Sequence, residues 1–294
     1  MTLGDLETRE IVCNLCHQAR MEHIYTNCSL HVVRCARCGL VFVNPQPTEN
    51  ALKILYSAKE LLQQEGWTSY FEHSPKQIQQ LWQERLSDLQ RLENRANVRL
   101  LDIGSGYGDF LHYTKQLGWQ VSGFDFSPSV AQVSREKYGI LVATGDLFEV
   151  NYSDNSFDVI TLWHVLEHTP DPLLVLKRSY DLLNRQGVLA IEVPNLNFIL
   201  RRSYRYPFSV TLHLFHFSPT TLSALVQKAG FDILECKLGN TGFLYSKKTK
   251  IWAKQIIYTF SRAVERLLGM NICDSIRLYA RKSISGERCW KAGE

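Results

Sequence analysis

Three sets of residues in this chain have the types and spacing that chemistry needs. The first is Asp102-Ile103-Gly104-Ser105-Gly106-Tyr107-Gly108-Asp109, directly after the apolar pair Leu100-Leu101. A short apolar run that ends in a carboxylate and then in three alternating glycines predicts a buried parallel strand breaking into a tight turn, with a helix behind it. Such a turn lets a nucleotide-like ligand approach the backbone at the carboxyl edge of a sheet. The next strand, Gln120 to Phe124, leads into Asp125, whose carboxylate can accept both ribose hydroxyls of an adenosine. The second set is Cys13, Cys16, Cys35 and Cys38, two C-x2-C pairs with eighteen residues between them. That spacing predicts a tetrahedral zinc site made of two knuckles, with Gly39 turning the second. Four thiolates leave no open coordination position, so the expected role is structural. The third set is histidine: His168 in a loop after a strand, and His213 before a capped helix.

The glycine spacing separates two cofactor classes. A dinucleotide site uses G-x-G-x-x-G and points a helix N-terminus at a pyrophosphate. Here Asp109 occupies the place of that third glycine, and its charge would repel phosphate while suiting a cationic ligand without phosphates. S-adenosylmethionine fits that description. The Asp102-x-Gly-x-Gly-x-Gly pattern resembles the first motif of class I S-adenosylmethionine-dependent methyltransferases, and the resemblance continues through the chain. It implies an α/β fold: a doubly wound, Rossmann-like seven-stranded sheet, preceded by a small zinc ribbon. The expected division is 1–47 for the ribbon and its linker strand and 48–294 for the methyltransferase domain.

The elements that must position these residues follow the same plan. Ser74-Pro75 is a cap and first-turn proline. Behind it Ile78, Leu81, Trp82, Leu86, Leu89 and Leu92 recur at helical spacing, predicting the helix before the first sheet strand. Ile140 to Thr144 reads as a third strand ending in Gly145-Asp146-Leu147. Asp146 there can accept the adenine amine while the backbone at Leu147 meets the ring. Phe157 to Leu162 and Gly187 to Val193 are the fourth and fifth strands. A helix from Ser218-Pro219 to Lys228 is broken by Gly230 before the strand Phe231 to Cys236. The last strand, Ser275 to Arg281, is expected at the sheet edge beside it, antiparallel.

After the fourth strand comes Trp163-His164-Val165-Leu166-Glu167-His168-Thr169-Pro170-Asp171-Pro172, where ligands of open α/β sheets bind. It resembles the Leu-Glu-His-x-x-Asp-Pro segment of small-molecule methyltransferases, including ubiquinone-type O-methyltransferases. That places Trp163 beside the cofactor. Those enzymes carry an acidic residue, linked to a metal, two positions before the Leu-Glu-His; this chain has His164 there. Glu167 and His168 serve either chemistry or only the bracing of the loop. His213-Leu-Phe-His216-Phe-Ser218-Pro219, with Val193-Pro194-Asn195 closing the fifth strand, is similar to a large bacterial methyltransferase family whose members often begin with a cysteine-paired ribbon. A neutral histidine can remove a hydroxyl proton near pH 7. His213 is the first candidate base and His168 the second, which favours oxygen as the methyl acceptor.

The 294 residues have a net charge of +4, with 33 basic and 29 acidic side chains. That balance gives no argument for nucleic acid. From Lys247 onward, 11 Lys and Arg face 4 Asp and Glu. Within that region, a helical insertion at about 247–270 includes 250–268, where Ala253, Ile256, Ile257, Phe260, Val264, Leu267 and Leu268 share one face. It reads either as an interfacial membrane helix beside Trp252 and Lys247, Lys248 and Lys250, or as a helix packed on its own domain or a dimer mate. A polar, acidic N-terminus predicts no signal peptide and a cytoplasmic protein, peripheral at the inner membrane if the interfacial reading holds. The acceptor is then a small molecule, a glycan or a lipid-linked compound. Two other readings compete. An RNA methyltransferase would grip its target through the ribbon, but Arg20, Arg34, Arg37, Tyr25 and Phe42 make too sparse a platform. A non-catalytic scaffold would have no physical need for the cofactor carboxylates.

Overall fold

The computed structural model describes residues 6–27, 30–57, 75–197, 213–239 and 273–283. The amphipathic stretch 250–268, the basic residues from Lys247 to Lys250, Ser74, Cys28 and Cys289 lie outside them. The described residues fall into two compact units. One draws on Met1–Glu72, Val193–Leu222 and Cys236–Arg277, the other on His73–Glu192, Ser223–Glu235 and Leu278–Glu294.

In the first unit, β1 (Thr8–Arg9), β2 (Met21–Asn27), β3 (Leu30–Cys35), β4 (Val41–Val43) and β5 (Gln46–Pro47) lead into the helix α1 (Glu49–Ser57). β2 and β3 form an antiparallel hairpin from Met21↔Cys35 to Asn27↔Leu30, and β4 adds to β3 with Val32 opposite Val43. Leu30, Val32, Val41 and Val43 bury one face of this small sheet, with Tyr25 and Leu196 packed on it. β1 pairs with β5 separately.

The second unit begins with α2 (Pro75–Leu92). It continues through β6 (Arg99–Ile103), α3 (Asp109–Gln116), β7 (Gln120–Asp125), α4 (Pro128–Tyr138), β8 (Val142–Thr144), β9 (Phe157–Trp163), α5 (Pro172–Leu182) and β10 (Leu183–Pro194). After β10, β11 (Phe215–His216) joins the small sheet of the first unit, and α6 (Pro219–Lys228), β12 (Phe231–Gly239) and β13 (Ser275–Lys282) follow. Seven strands make a sheet in the order β12-β13-β10-β9-β6-β7-β8, with parallel pairing from β10 across to β8. This is the doubly wound α/β sheet expected from the strand–helix alternation.

One strand lies elsewhere than expected. β13 is inserted between β12 and β10, so β12, not the last strand, forms the edge. The burial patterns carry the reason: Ser275–Ala280 are all buried, whereas β12 alternates between shielded and exposed positions. β10 also starts earlier than read, because its register slips between Leu183 and Val188. The polar Asn184-Arg185-Gln186-Gly187 in that slip carries turn chemistry and conceals the strand from periodicity.

α2 buries Trp82, Leu86 and Leu89 as the spacing predicts. On the same face, Arg85 is 1% exposed. Its Nε donates to Glu192 Oε2 at 2.9 Å, and its guanidinium lies 4.5 Å from the Trp82 ring centre and 4.6 Å from that of Trp163. Phe110 of α3 closes the aromatic group, 5.1 Å from Trp82 and 5.4 Å from Trp163. Cation–π contact with two indole rings stands in for water around this desolvated charge.

Asp102 of β6 is 2% exposed and sits opposite Thr161 of β9, whose hydroxyl donates to it at 2.6 Å. Burial raises its pKa to about 7, although the Thr161 bond and the Arg85 charge pull the other way.

Two stability measurements follow. Arg85→Ala leaves Glu192 buried without its cation and should cost about 3–5 kcal/mol in urea unfolding. Glu192→Gln, which keeps the volume and an acceptor for Arg85 but removes the negative charge, should cost less; equal losses would mean that charge pairing rather than packing carries the whole effect. For Asp102 the folded pKa lies above the usual carboxylate value, so its contribution to stability is fully present below about pH 4 and is lost as pH rises through 7. Asp102→Asn should therefore gain on the wild type across that window, by up to about 4 kcal/mol at ~1.4 kcal/mol per unit. Parallel unfolding curves at all pH values would show that Asp102 ionises as an ordinary exposed aspartate does.

Candidate functional site

The carboxyl edge of β6 is shaped by its three glycines. Gly104, Gly106 and Gly108 have φ of 72°, 53° and 81°, a region that side-chain-bearing residues rarely occupy. Two of them are also required by close approach. A Cβ on Gly104 would lie 2.3 Å from Val165 Cγ2, and one on Gly108 would lie 2.2 Å from Ser134 Oγ. A Cβ on Gly106 would meet nothing within 4 Å. The middle of the turn is thus open, while its two ends are wedged under neighbouring elements.

β7 delivers Asp125 to the same turn. Its Oδ2 accepts the Gly106 N–H and its Oδ1 the Ser127 N–H, both at 2.9 Å. Burial raises its pKa above the ordinary aspartate value, and the two backbone donors oppose that shift. Each carboxylate oxygen keeps a second lone-pair direction for a ligand hydroxyl. Ser105 is buried, and its Oγ has no hydrogen-bond partner among the described residues.

Asp109 does not stand free at the start of α3, contrary to the expectation that its charge faces the ligand. Lys137 Nζ donates to it at 2.9 Å and the Tyr138 hydroxyl donates to the same oxygen. α4 therefore takes up the charge that the sequence reading gave to cofactor choice.

At the end of β8, Asp146 is exposed and caps its own turn by accepting the Phe148 N–H at 2.9 Å, while Leu147 is buried beside it. Trp163, expected to face the cofactor, directs its indole at Arg85 and Phe110 and is 7% exposed.

The loop after β9 is a polar cluster that periodicity could not reveal. His164 has φ 57°, unusual for a histidine, and its backbone N–H donates to the Glu192 carbonyl at 2.8 Å. Its Nδ1 is 3.2 Å from Glu167 Oε1 and its Nε2 3.9 Å from Glu192 Oε1. His168 Nε2 is 3.9 Å from the same Glu167 oxygen. Glu167 is 1% exposed, and its Oε2 has no partner among the described residues. Arg85, Glu192, His164, Glu167 and His168 thus form one polar chain beside the Gly104 turn, buried at Arg85, Glu192 and Glu167 and half-buried at the two histidines. Sequence reading selected Glu167 and His168 but missed Arg85 and Glu192, whose only signal was a charged residue at an apolar helical or strand position.

His213 belongs to the first unit, directly before β11, half-buried and 6.3 Å from the ring centre of His216.

The four cysteines of the ribbon come together. Cys13 Sγ lies 3.4 Å from Cys38 Sγ, Cys16 Sγ lies 3.4 Å from Cys35 Sγ, and all four sulfurs are within 4.8 Å of one another. A tetrahedral zinc with bonds of about 2.3 Å needs sulfurs roughly 3.8 Å apart, so the set fits the ion. The knuckles are matched. His17 N–H donates to the Cys13 carbonyl and Gly39 N–H to that of Cys35, with φ of 56° and 74°. His17 is therefore the turn residue of the first knuckle, as Gly39 is of the second. Burial pushes the Cys35 thiol up, but N–H donors from Cys38 and Arg37 outweigh it and bring it down to about 7.

Parts of this chain resemble known proteins. A demethylmenaquinone methyltransferase of Listeria welshimeri is 28% identical over 144 residues, covering 44% of this chain and 60% of its own length. The Staphylococcus aureus protein of that name is 29% identical over 145 residues, covering 46% and 59%. The chain thus spans about three-fifths of the length of the curated relatives it matches. The crystal structure of a SAM-dependent methyltransferase from Archaeoglobus fulgidus shares the fold at a TM-score of 0.51 and 21% identity, over 68% of this chain and 94% of that one. The family model for the methyltransferase domain matches residues 70–236, more than half of the 294 residues and all of the glycine turn, Asp125 and the Glu167 loop, and the chain belongs to that family.

Proposed function

We propose that this protein transfers a methyl group from S-adenosylmethionine to a small-molecule acceptor. The observation that carries the reading is Asp125, anchored by the Gly106 and Ser127 N–H groups with both oxygens still able to accept ribose hydroxyls. The sulfonium donor supplies a methyl group that is already activated, so the chain's own residues have to bind, orient and exclude water. In this reading Gly104, Ser105, Gly106 and Gly108 give the backbone surface for the cofactor and Asp102 supports the turn from beneath. Asp146 and Leu147 take the adenine, and Trp163 acts only through the strand end it occupies.

The relatives named for demethylmenaquinone favour a small-molecule acceptor, and a lipid-linked one agrees with a peripheral membrane contact through 250–268. We read the acceptor atom as oxygen, with His213 taking its proton and His168 as the alternative base. The cysteine ribbon, 1–47, holds structural zinc at Cys13, Cys16, Cys35 and Cys38 ahead of the methyltransferase domain, 48–294, and the working compartment is the cytoplasm.

Asp125→Ala should weaken S-adenosylmethionine binding by roughly 1.5–3 kcal/mol, the scale of a charge-assisted hydrogen bond, when measured by calorimetry on folded protein. Unchanged affinity would remove the ribose role. His213→Ala should leave that affinity intact and lower turnover of the acceptor ~10²-fold or more. Near wild-type turnover would move the base to His168.

A further inference from the structure

Between the cysteine ribbon and the candidate base lies a strand that neither composition nor motif reveals. β11 pairs antiparallel with β4, Phe215 opposite Phe42 and His216 opposite Val41, on the side of β4 away from β3. The Val43 N–H donates to the Leu214 carbonyl at 2.9 Å, and the rings of Phe42 and Phe215 stack at 5.9 Å. Phe217 continues the stack at 6.2 Å from Phe215, and its carbonyl accepts the Leu196 N–H at 2.8 Å. Leu214, Phe215 and Phe217 are fully buried, and Leu196 packs against the ribbon core of Leu30, Val32, Val41 and Val43.

We propose that the thiolate ribbon and the segment Leu214–Phe217 order as one element, so that metal bound at Cys13, Cys16, Cys35 and Cys38 sets the position of His213. The proposal rests on the reading of His213 as the acceptor-side base for its functional meaning, though not for its physical content.

The second knuckle links the thiolate cluster to β4. Cys35 ends β3, its N–H donates to the Leu40 carbonyl at 2.9 Å, and β4 begins at the next residue. A metal that fixes Cys35 and Cys38 therefore fixes where β4 starts, and β4 is the template on which β11 forms. β11 is two residues long and has no stability of its own, since strands so short persist only on a partner. The ribbon core is also small, clustered among the described residues on Leu30, Val32, Val41 and Val43, and a module of this size depends on a structural metal for much of its folding free energy. Loss of the metal removes the template, and the segment carrying His213 loses its partner with it. The four thiolates are thus positioning residues for a histidine 175 or more positions further along the chain.

Hydrogen exchange read by mass spectrometry on the full chain tests this. It compares the zinc-loaded protein, the same protein after chelation, and Cys35→Ser. Amides of 30–43 and of 214–217 should exchange together, ~10-fold faster or more, in the chelated protein and in the variant. Those of Leu100–Ile103 and Val159–Leu162 should stay protected. Zinc returned to the wild type should restore both ribbon segments, and zinc added to the variant should restore neither. Protection that survives at 214–217 while 30–43 opens would overturn the proposal. So would no change at either segment, or an equal loss in the central strands. Calorimetry of S-adenosylmethionine on the same samples separates the two readings. A zinc-loaded protein that binds no cofactor defeats the methyltransfer function and leaves the exchange result to stand or fall alone.

Discussion

One buried guanidinium holds the carboxyl edge of the second unit's strands together. Arg85 ties α2 to the end of β10 through Glu192, and its guanidinium lies against the rings of Trp82 and Trp163, so a helix and two central strands meet at a single charge. Two carboxylates, Glu192 and Glu167, are buried there with His164 between them. Without Arg85 that edge would hold excess negative charge in a dry place, the costliest arrangement a fold can make. The glycine turn leans on the same region, because Gly104 approaches Val165 too closely for any side chain. The shape of the ligand edge is thus set by charge compensation as much as by glycine.

Much of the second unit was legible in the sequence because its signals are local. Apolar runs fixed β6, β7 and β9, and the alternating glycines located the turn that joins β6 to α3. What escaped reading depends on partners far along the chain. The place of β13 inside the sheet is set by burial on both faces, which an apolar run alone does not distinguish from an edge strand. The start of β10 is masked by polar residues in a register slip.

The candidate site divides the same way. Asp125 and the four cysteines were selected by spacing, and the structure brings Asp125 to the glycine turn and the four sulfurs together. Arg85 and Glu192 look like surface charges in one dimension and become interior ones only through a contact spanning 107 positions. Asp109 failed in the opposite direction. Its charge was visible, but Lys137 and Tyr138, which absorb it, lie on another helix.

With β13 taken inside the sheet, β12 is the margin among the described residues, and the backbone groups of such a margin can recruit a stranger's strand. The strand is built against that risk. Asp232, Glu235 and Lys237 interrupt its length, and Arg91 of α2 reaches Glu235 at 2.5 Å from above. Fixed charges at close intervals make this border a poor template for an extended apolar peptide, because pairing would strip them of water. Leu234, 42% exposed, is the one large apolar side chain that the border shows to solvent. Keeping this border from pairing with a second chain therefore falls to Asp232, Glu235 and Lys237.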